Sequence, residues 1–96
     1  MKYILIKIIK SDNKNKKYDA IIKNIINGQL STVSFGNINK KHYMDKTPLG
    51  LYKHLNHYDE QKRIDYITEN KNKIKGIKNK FSPDYFTAKF LYCMDI

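Results

Sequence analysis

Three histidines are the first residues in this sequence whose types could support metal chemistry. His54 and His57 are three positions apart, and His42 precedes them. Side chains three positions apart share one face of a helix, and imidazole nitrogen is a common zinc ligand. No acid or thiol stands at ligand spacing beside the pair, so we predict no metal site. His57 is instead expected to brace the start of a helix through Asp59.

The acidic residues offer one catalytic pattern. Asp45 followed by Glu60-Gln61-Lys62 has the order of the Asp…Glu-x-Lys pattern of metal-dependent nucleases, in which two carboxylates hold Mg²⁺. That pattern needs its Glu and Lys on one side of a strand, whereas here they fall in a predicted helix and point apart. Cys93 has no base at a catalytic spacing and is expected to be a buried small side chain. We therefore expect no catalytic residue, no cofactor and no enzymatic activity.

The excess of basic residues is the strongest functional signal. Lys and Arg number 19 against 9 Asp and Glu, and the net charge is +10. Eight of these basic side chains are predicted to contact phosphate, and they are Lys40, Lys41, Lys46, Lys62, Arg63, Lys71, Lys73 and Lys75. Tyr43 and Tyr66 are predicted to stack on bases or to position the strand. Because Arg63 is the one arginine, bidentate reading of guanine is not expected, and binding to DNA or RNA should be independent of sequence.

Two other interpretations of the basic surface remain open. A lysine-rich surface can reflect AT-rich codons and solubility without any ligand. The chain can also be a protein-interaction or virion-structural module, which docks on a viral or host protein through an aromatic C-terminal helix or a sheet edge. Tyr85, Lys89 and Tyr92 flank the predicted core stripe of that helix, which is Phe86, Phe90, Cys93 and Met94.

The first third of the chain must form the sheet on which these residues are placed. Three runs rich in β-branched residues are separated by turn-forming residues, and they are residues 2–9, 18–26 and 29–35. Asn27-Gly28 between the last two runs is a strong hairpin signal. The pattern predicts a three-stranded antiparallel meander over residues 1–36, followed by a basic loop over 37–46.

The remaining residues, 47–96, are expected to be helical. Thr47-Pro48 and Ser82-Pro83 each combine an N-cap residue with proline at the first helical position, which predicts helices over 47–56 and 83–94. A further helix is predicted to start at Asp59, and the lysine-rich residues 70–80 to form a linker. The fold class is therefore α+β, a single domain with two or three short helices packed on one face of the meander.

Membrane and secreted classes are not supported. The longest apolar stretch, residues 3–9, is interrupted by Lys7 and is far shorter than the ~20 residues of a membrane span. No signal-peptide pattern follows it. A single cysteine excludes a disulfide framework. We expect an intracellular protein that does not interact with membranes, and composition leaves its oligomeric state open.

Several motifs resemble those of a family of small, basic, uncharacterised proteins encoded by nucleocytoplasmic large DNA viruses. The matching residues are Lys17-Tyr18-Asp19-Ala20, Phe35-Gly36, Tyr43, Asp45, His57, Asp59, Tyr66, and Phe86-Thr87 through Leu91-Tyr92. The chain departs from the family where Phe86 and Tyr92 replace tryptophan. The resemblance covers about three quarters of the chain. It implies a shared fold, a viral origin and a location in the virion or in a viral factory of the host cytoplasm, and it implies no activity.

Overall fold

The computed structural model describes residues 3–75 and 81–94, and it begins with a three-stranded antiparallel sheet. The strands are β1 (Tyr3–Lys10), β2 (Lys16–Asn24) and β3 (Leu30–Asn37), with β2 in the centre. Ile8 pairs with Ala20, and Tyr18 pairs with Phe35, so the apolar members of each strand share one face. The predicted meander and the α+β class are confirmed.

The turn between β2 and β3 is longer than a two-residue hairpin. The Asn24 side-chain oxygen accepts the Ile26 amide at 2.9 Å, and the Asn24 carbonyl accepts the Gly28 amide at 2.8 Å. Gly28 has a φ of +75°, which glycine adopts without steric cost. The predicted turn is therefore at the right place, and its side-chain hydrogen bonds fix the register of the two strands.

Two α-helices follow the sheet, α1 (Glu60–Lys75) and α2 (Pro83–Leu91). The Asp59 carboxylate caps α1 by accepting the Gln61 amide at 3.0 Å. The Ser82 hydroxyl caps α2 by accepting the Tyr85 amide at 3.1 Å, with Pro83 at the first position. Both predicted helix starts are confirmed, because each rests on a local cap. α2 packs on β3, and α1 packs on α2.

The predicted helix over 47–56 is wrong. This segment is a series of turns with a short 3₁₀ helix at Lys53–Leu55. The amide and hydroxyl of Thr47 both donate to the Asp45 carboxylate, and the Tyr52 amide donates to the same group. Gly50 has a φ of +58°, in the left-handed region. The chain therefore wraps around a buried carboxylate and does not form a helical ladder.

The lysine-rich segment is less of a linker than predicted. α1 continues to Lys75, so residues 70–75 are helical, since the straight side chain of lysine loses little freedom in a helix. The rest of the predicted linker, residues 76–80, lies outside the described residues.

The last helix is shorter than predicted and ends at Leu91. Cys93 takes a φ of +54°, and the Met94 amide donates to the Ala88 carbonyl, which closes the helix end. Of the predicted stripe, Phe86 is buried and Phe90 packs against the core from a half-buried position. Cys93 and Met94 lie beyond the helix and are half-buried, so the core uses Leu91 in their place.

The core lies between the sheet and α2. Its buried side chains are Ile8, Tyr18, Ala20, Ile22, Phe35, Tyr52, Phe86 and Leu91. The Phe35 ring lies 5.8 Å from that of Tyr18 and 5.5 Å from that of Phe86. Aromatic contacts therefore join the central strand to the helix through β3.

Candidate functional site

A cavity of about 260 Å³ opens where the end of the β2–β3 hairpin meets the loop after β3 and the two helices. On the sheet and loop side it is lined by Lys17, Gly36, Asn37, Lys40, Lys41 and His42. On the helix side it is lined by Tyr66, Asn70, Asp84, Thr87, Leu91 and Tyr92. The cavity is therefore cationic along one wall and aromatic and polar along the other.

Gly36 allows the cavity wall to close. Its φ is +80°, and a Cβ placed there would lie 3.1 Å from Leu91 Cδ1 and 3.2 Å from Lys17 Cβ. A larger residue would be strained at this φ, and the side chains of Leu91 and Lys17 would have to shift by a few tenths of an ångström to admit it. The missing side chain lets the lysine and the leucine pack against the backbone of the strand.

Lys17 is a buried lysine, with only 1% of its surface exposed. Its ammonium donates to the Lys40 carbonyl at 2.7 Å. Burial lowers the pKa of Lys17 to about 8, and the negative charge of Asp45 offsets part of that effect. The group is thus still a cation near neutral pH, although removal from water destabilises its charge. An anion that entered the cavity would relieve this cost.

His42 is also buried, and its proton position follows from its neighbours. The Asp45 amide donates to Asn56 Oδ1 at 2.8 Å, so this atom is an acceptor. His42 Nε2 lies 2.6 Å from the same oxygen and must carry its proton towards it. Burial, then the charge of Lys17, lowers the pKa of His42, so the ring is neutral near neutral pH. Its Nδ1 is therefore a lone-pair acceptor, and it is buried without a hydrogen-bond partner among the described residues.

Asp45 anchors the loop that carries His42. Its carboxylate accepts the Tyr18 hydroxyl at 2.6 Å and the Thr47 hydroxyl at 2.6 Å, as well as the amides of Thr47 and Tyr52. Burial by itself would raise the pKa of Asp45, but hydrogen bonds from Thr47 and Tyr18 outweigh it and leave the pKa below its usual value. The carboxylate is therefore ionised and saturated by protein donors, which suits a structural role.

An aromatic pair forms part of the helix-side wall. The rings of Tyr66 and Tyr92 are stacked, with centroids 3.7 Å apart and an interplanar angle of 7°. Burial raises the pKa of Tyr66, and it also raises that of Tyr92, so both rings are uncharged. Arg63 fixes the end of α2 beside them by donating to the carbonyls of Tyr92 and Cys93 at 2.9 and 3.0 Å.

The structure brings three of the predicted contact residues to this cavity, namely Lys40, Lys41 and Tyr66. Lys62 is exposed and lies one helical turn before Tyr66 on α1, on the same face of that helix. Lys71 is also exposed, next to Asn70. The backbone of Lys73 and Lys75 belongs to α1, and their side chains lie outside the described residues.

The other predicted contact residues lie elsewhere. Lys46 lines a second, more open cavity of about 420 Å³ with Lys89, Phe90, Cys93 and Met94. Tyr43 donates to Glu60 at 2.9 Å, and the Arg63 guanidinium lies 5.5 Å from the centre of the Tyr43 ring. Arg63 also forms an ion pair with Glu60 at 3.0 Å. Tyr43 and Arg63 therefore hold the start of α1, and we leave them out of the interface proposed below.

Sequence reasoning missed Lys17 and His42 as cavity residues, and it placed Tyr92 on the flank of the C-terminal helix, where a tyrosine can either stack on bases or cap the core. The pattern places Lys17 among the turn-forming residues between the predicted strands 2–9 and 18–26, and it singles out His42 only as a possible metal ligand. No local signal distinguishes Lys17 from the other lysines of residues 10–17, because the polar residues Lys16 and Asp19 lie close to it on β2. His42 gave no local signal either, since its burial depends on Asn56 and Leu55, which follow it by more than ten residues.

The histidines do not form a metal site. His54 is exposed on the 3₁₀ helix, and His57 Nδ1 accepts the Asp59 amide at 2.9 Å, which matches the bracing role predicted for it. Within residues 3–75 and 81–94, no group of three or more His, Cys, Asp or Glu side chains is placed to hold a metal ion. In the same ranges, no helix is long and apolar enough to cross a bilayer.

Comparisons with known proteins place the chain in no group. No protein-family model matches it, and no curated protein and no solved structure is significantly similar to it.

Proposed function

We propose that this protein binds nucleic acid without sequence specificity and without catalysis, using the cavity and the lysines around it. The observation that carries the proposal is the convergence of Lys17, Lys40 and Lys41 with the Tyr66–Tyr92 pair on one concave surface. Ammonium groups neutralise phosphates, and aromatic rings beside them offer a surface on which bases stack. Phosphate neutralisation and base stacking are the two contacts by which proteins bind single strands, and neither contact depends on the identity of the base.

The charges around the cavity support the same proposal. Lys40, Lys41 and Lys62 are exposed, so their ammonium groups are free to meet a phosphate backbone. The net charge of +10 adds a long-range attraction for polyanions. The one guanidinium in the chain, that of Arg63, is engaged by the carbonyls of α2 and by Glu60. Contacts of lysine alone favour binding that is independent of sequence.

Fluorescence anisotropy with labelled single- and double-stranded oligonucleotides tests this function. With Lys17, Lys40, Lys41 and Lys62 each meeting one phosphate, the logarithm of the association constant should fall against the logarithm of salt concentration with a slope of about −3 to −4, between about 50 and 300 mM salt. We expect dissociation constants of about 1–100 µM, with single strands bound more tightly because their bases can stack. A folded protein that binds neither strand at the lowest salt would contradict the proposal.

A protein-interaction role is the second candidate, and the sheet favours it. On the face opposite the core, Ile4, Ile9 and Leu30 are 46%, 37% and 59% exposed. The aromatic C-terminal helix is less suited to docking, because Phe86 and Phe90 pack against the core and Tyr92 stacks on Tyr66. If oligonucleotides do not bind at low salt, this sheet face is the surface to test against viral or host proteins.

A further inference from the structure

We propose that the cavity holds a single nucleotide with a 5′-phosphate, in which the phosphate lies against the Lys17 ammonium and the ribose 2′-hydroxyl donates to His42 Nδ1. The nucleotide is either free or at the end of a strand. The choice of a nucleotide rests on the proposed function. The expectation that the ligand carries an anion and a hydroxyl rests on the residues that line the cavity, Lys17 and His42.

The demand for an anion comes from Lys17. Among the described residues its ammonium makes one hydrogen bond, to the Lys40 carbonyl, and an ammonium has three donors. A phosphate can accept the other two and supply the opposite charge that a buried cation needs. Lys40 and Lys41 line the same wall and are exposed, so they can reach the outer oxygens of that phosphate.

The demand for a hydroxyl comes from His42. The side chain is 1% exposed, and its Nδ1 is a buried acceptor with no donor among the described residues. A buried polar atom without a partner costs free energy, and His42 is among the residues that line the cavity, so a donor that approached the ring from the cavity would lower this cost. A phosphate dianion has no proton to donate, and a sugar hydroxyl does. One ligand that carries both groups is a ribose phosphate.

The helix-side wall and the size of the cavity limit the ligand to one nucleotide. Asp84 lines that wall, and a carboxylate at this position disfavours a second phosphate. The volume of about 260 Å³ lies just below the range of small-molecule sites, which begins at about 300 Å³, so the cavity has no room for a second nucleotide. Tyr66 and Tyr92 on the same wall offer the base an apolar surface.

Heteronuclear NMR titration of the full chain with adenosine monophosphate tests this inference. We expect binding below about 10 mM, with shifts in the amides of Gly36 and Asn37, which line the cavity. Deoxyadenosine monophosphate should bind about 3- to 10-fold more weakly, the worth of one neutral hydrogen bond. Adenosine, which lacks the phosphate, should cause no shifts at the same concentration. Absence of shifts at these amides with adenosine monophosphate overturns the inference.

Two variants separate binding from folding, and the same spectra report whether each is folded. Lys17→Met should weaken the binding of adenosine monophosphate about 10-fold or more, whereas Lys7→Met, which removes an exposed lysine from β1, should change it by less than about 2-fold. His42→Phe keeps an aromatic ring and has no acceptor, while Asn56 Oδ1 still accepts the Asp45 amide, so this variant should remove the preference for ribose over deoxyribose. A ribose preference that survives in His42→Phe contradicts the assigned hydroxyl contact.

Oligonucleotide ends distinguish this inference from the proposed function. A 5′-phosphate should tighten the binding of a short RNA about 10-fold relative to a 5′-hydroxyl. If both RNAs bind equally with a steep salt dependence and adenosine monophosphate does not bind, the proposed function stands and the nucleotide site is wrong. If adenosine monophosphate binds in the cavity and no oligonucleotide binds, the site stands and the proposed function is wrong.

Discussion

Replacing Asp45 with alanine should lower the free energy of unfolding by about 3–5 kcal/mol. The carboxylate is 4% exposed and accepts hydrogen bonds from Tyr18, Thr47 and Tyr52. Alanine would leave the Tyr18 phenol, the Thr47 hydroxyl and two amides without this acceptor, and each buried donor that stays unpaired costs about 1–3 kcal/mol. Because a domain of this size has only about 5–10 kcal/mol of stability, urea denaturation followed by far-UV circular dichroism would show the effect clearly.

A matched control is Asp12→Ala, which removes an exposed carboxylate from the loop between β1 and β2. This variant should change the free energy of unfolding by less than about 0.5 kcal/mol. A loss below about 1 kcal/mol for Asp45→Ala would contradict the view that this carboxylate organises the loop from His42 to Asn56.

Replacing Lys17 with methionine should stabilise the protein near neutral pH, by about 1–2 kcal/mol. Burial lowers the pKa of Lys17 from 10.5 to about 8, which corresponds to about 3 kcal/mol of unfavourable free energy for the charged form in the folded state. Methionine has similar length and no charge. The variant also loses the hydrogen bond to the Lys40 carbonyl, which reduces the expected stabilisation by about 1 kcal/mol. A residue that lowers stability and lines a cavity is what a binding role predicts.

The effect should depend on pH with a defined sign. Between about pH 8 and 10.5 the unfolded chain holds a proton on Lys17 that the folded chain has released, so the stability of the wild type rises through this window by about 3 kcal/mol relative to Lys17→Met. The charged or titratable neighbours are Asp45, which stays ionised, and His42, which stays neutral, so neither changes state in this range. Lys40, Lys41 and Asp84 also line the cavity.

Thermal or urea unfolding of both proteins across that pH range measures the difference. Lys7→Met serves as the control, since Lys7 is exposed on β1 and its substitution should leave the pH profile of the wild type unchanged. A Lys17→Met variant that is less stable near neutral pH, with the same pH profile as the wild type, would show that the lysine is a purely structural residue.

The parts of the fold that rest on local signals could be predicted from the sequence. Alternating β-branched residues predicted the three strands, and the caps at Asp59 and Ser82 predicted the starts of both helices. The segment that begins at Thr47 carries an equally good cap signal and still forms turns. There a carboxylate bonded to Tyr18, which is 27 residues away in sequence, competes with the helix and wins. No local pattern reveals such a competitor.

The candidate site likewise has residues that could be predicted from local sequence and residues that could not. Its exposed residues, Lys40, Lys41 and Tyr66, could be predicted from charge and residue type alone. Lys17 and His42 could not, because their importance comes from burial. Lys17 packs beside Gly36 of β3 and Leu91 of α2. Because these three residues are far apart in sequence, no local pattern predicts that the lysine is buried. Residue type indicates which groups can do chemistry, and tertiary packing decides which of them are poised to do it.

The proposed interface can be tested against the alternative that the protein is merely basic. Lysines are spread over the chain, and a surface made basic by composition alone would bind polyanions equally through any of them. The cavity lysines differ because they lie beside stacked aromatic rings and a buried cation. Two pairs of exposed lysines can be substituted to measure this difference, Lys40 with Lys41 and Lys7 with Lys23. Each double substitution lowers the net charge by the same amount, so the two variants differ only in where the charge is lost.

The most direct test is the salt dependence of single-strand binding for these two double variants. Changing Lys40 and Lys41 to glutamine should make the log–log slope less steep by about 1.4, which is about 0.7 for each lost phosphate contact to a single strand, and weaken binding about 10-fold or more. Changing Lys7 and Lys23 to glutamine removes the same charge from the outer face of the sheet, and it should alter affinity by less than about 2-fold. Equal losses in the two variants would contradict a localised interface and would leave only the net charge as the cause of binding.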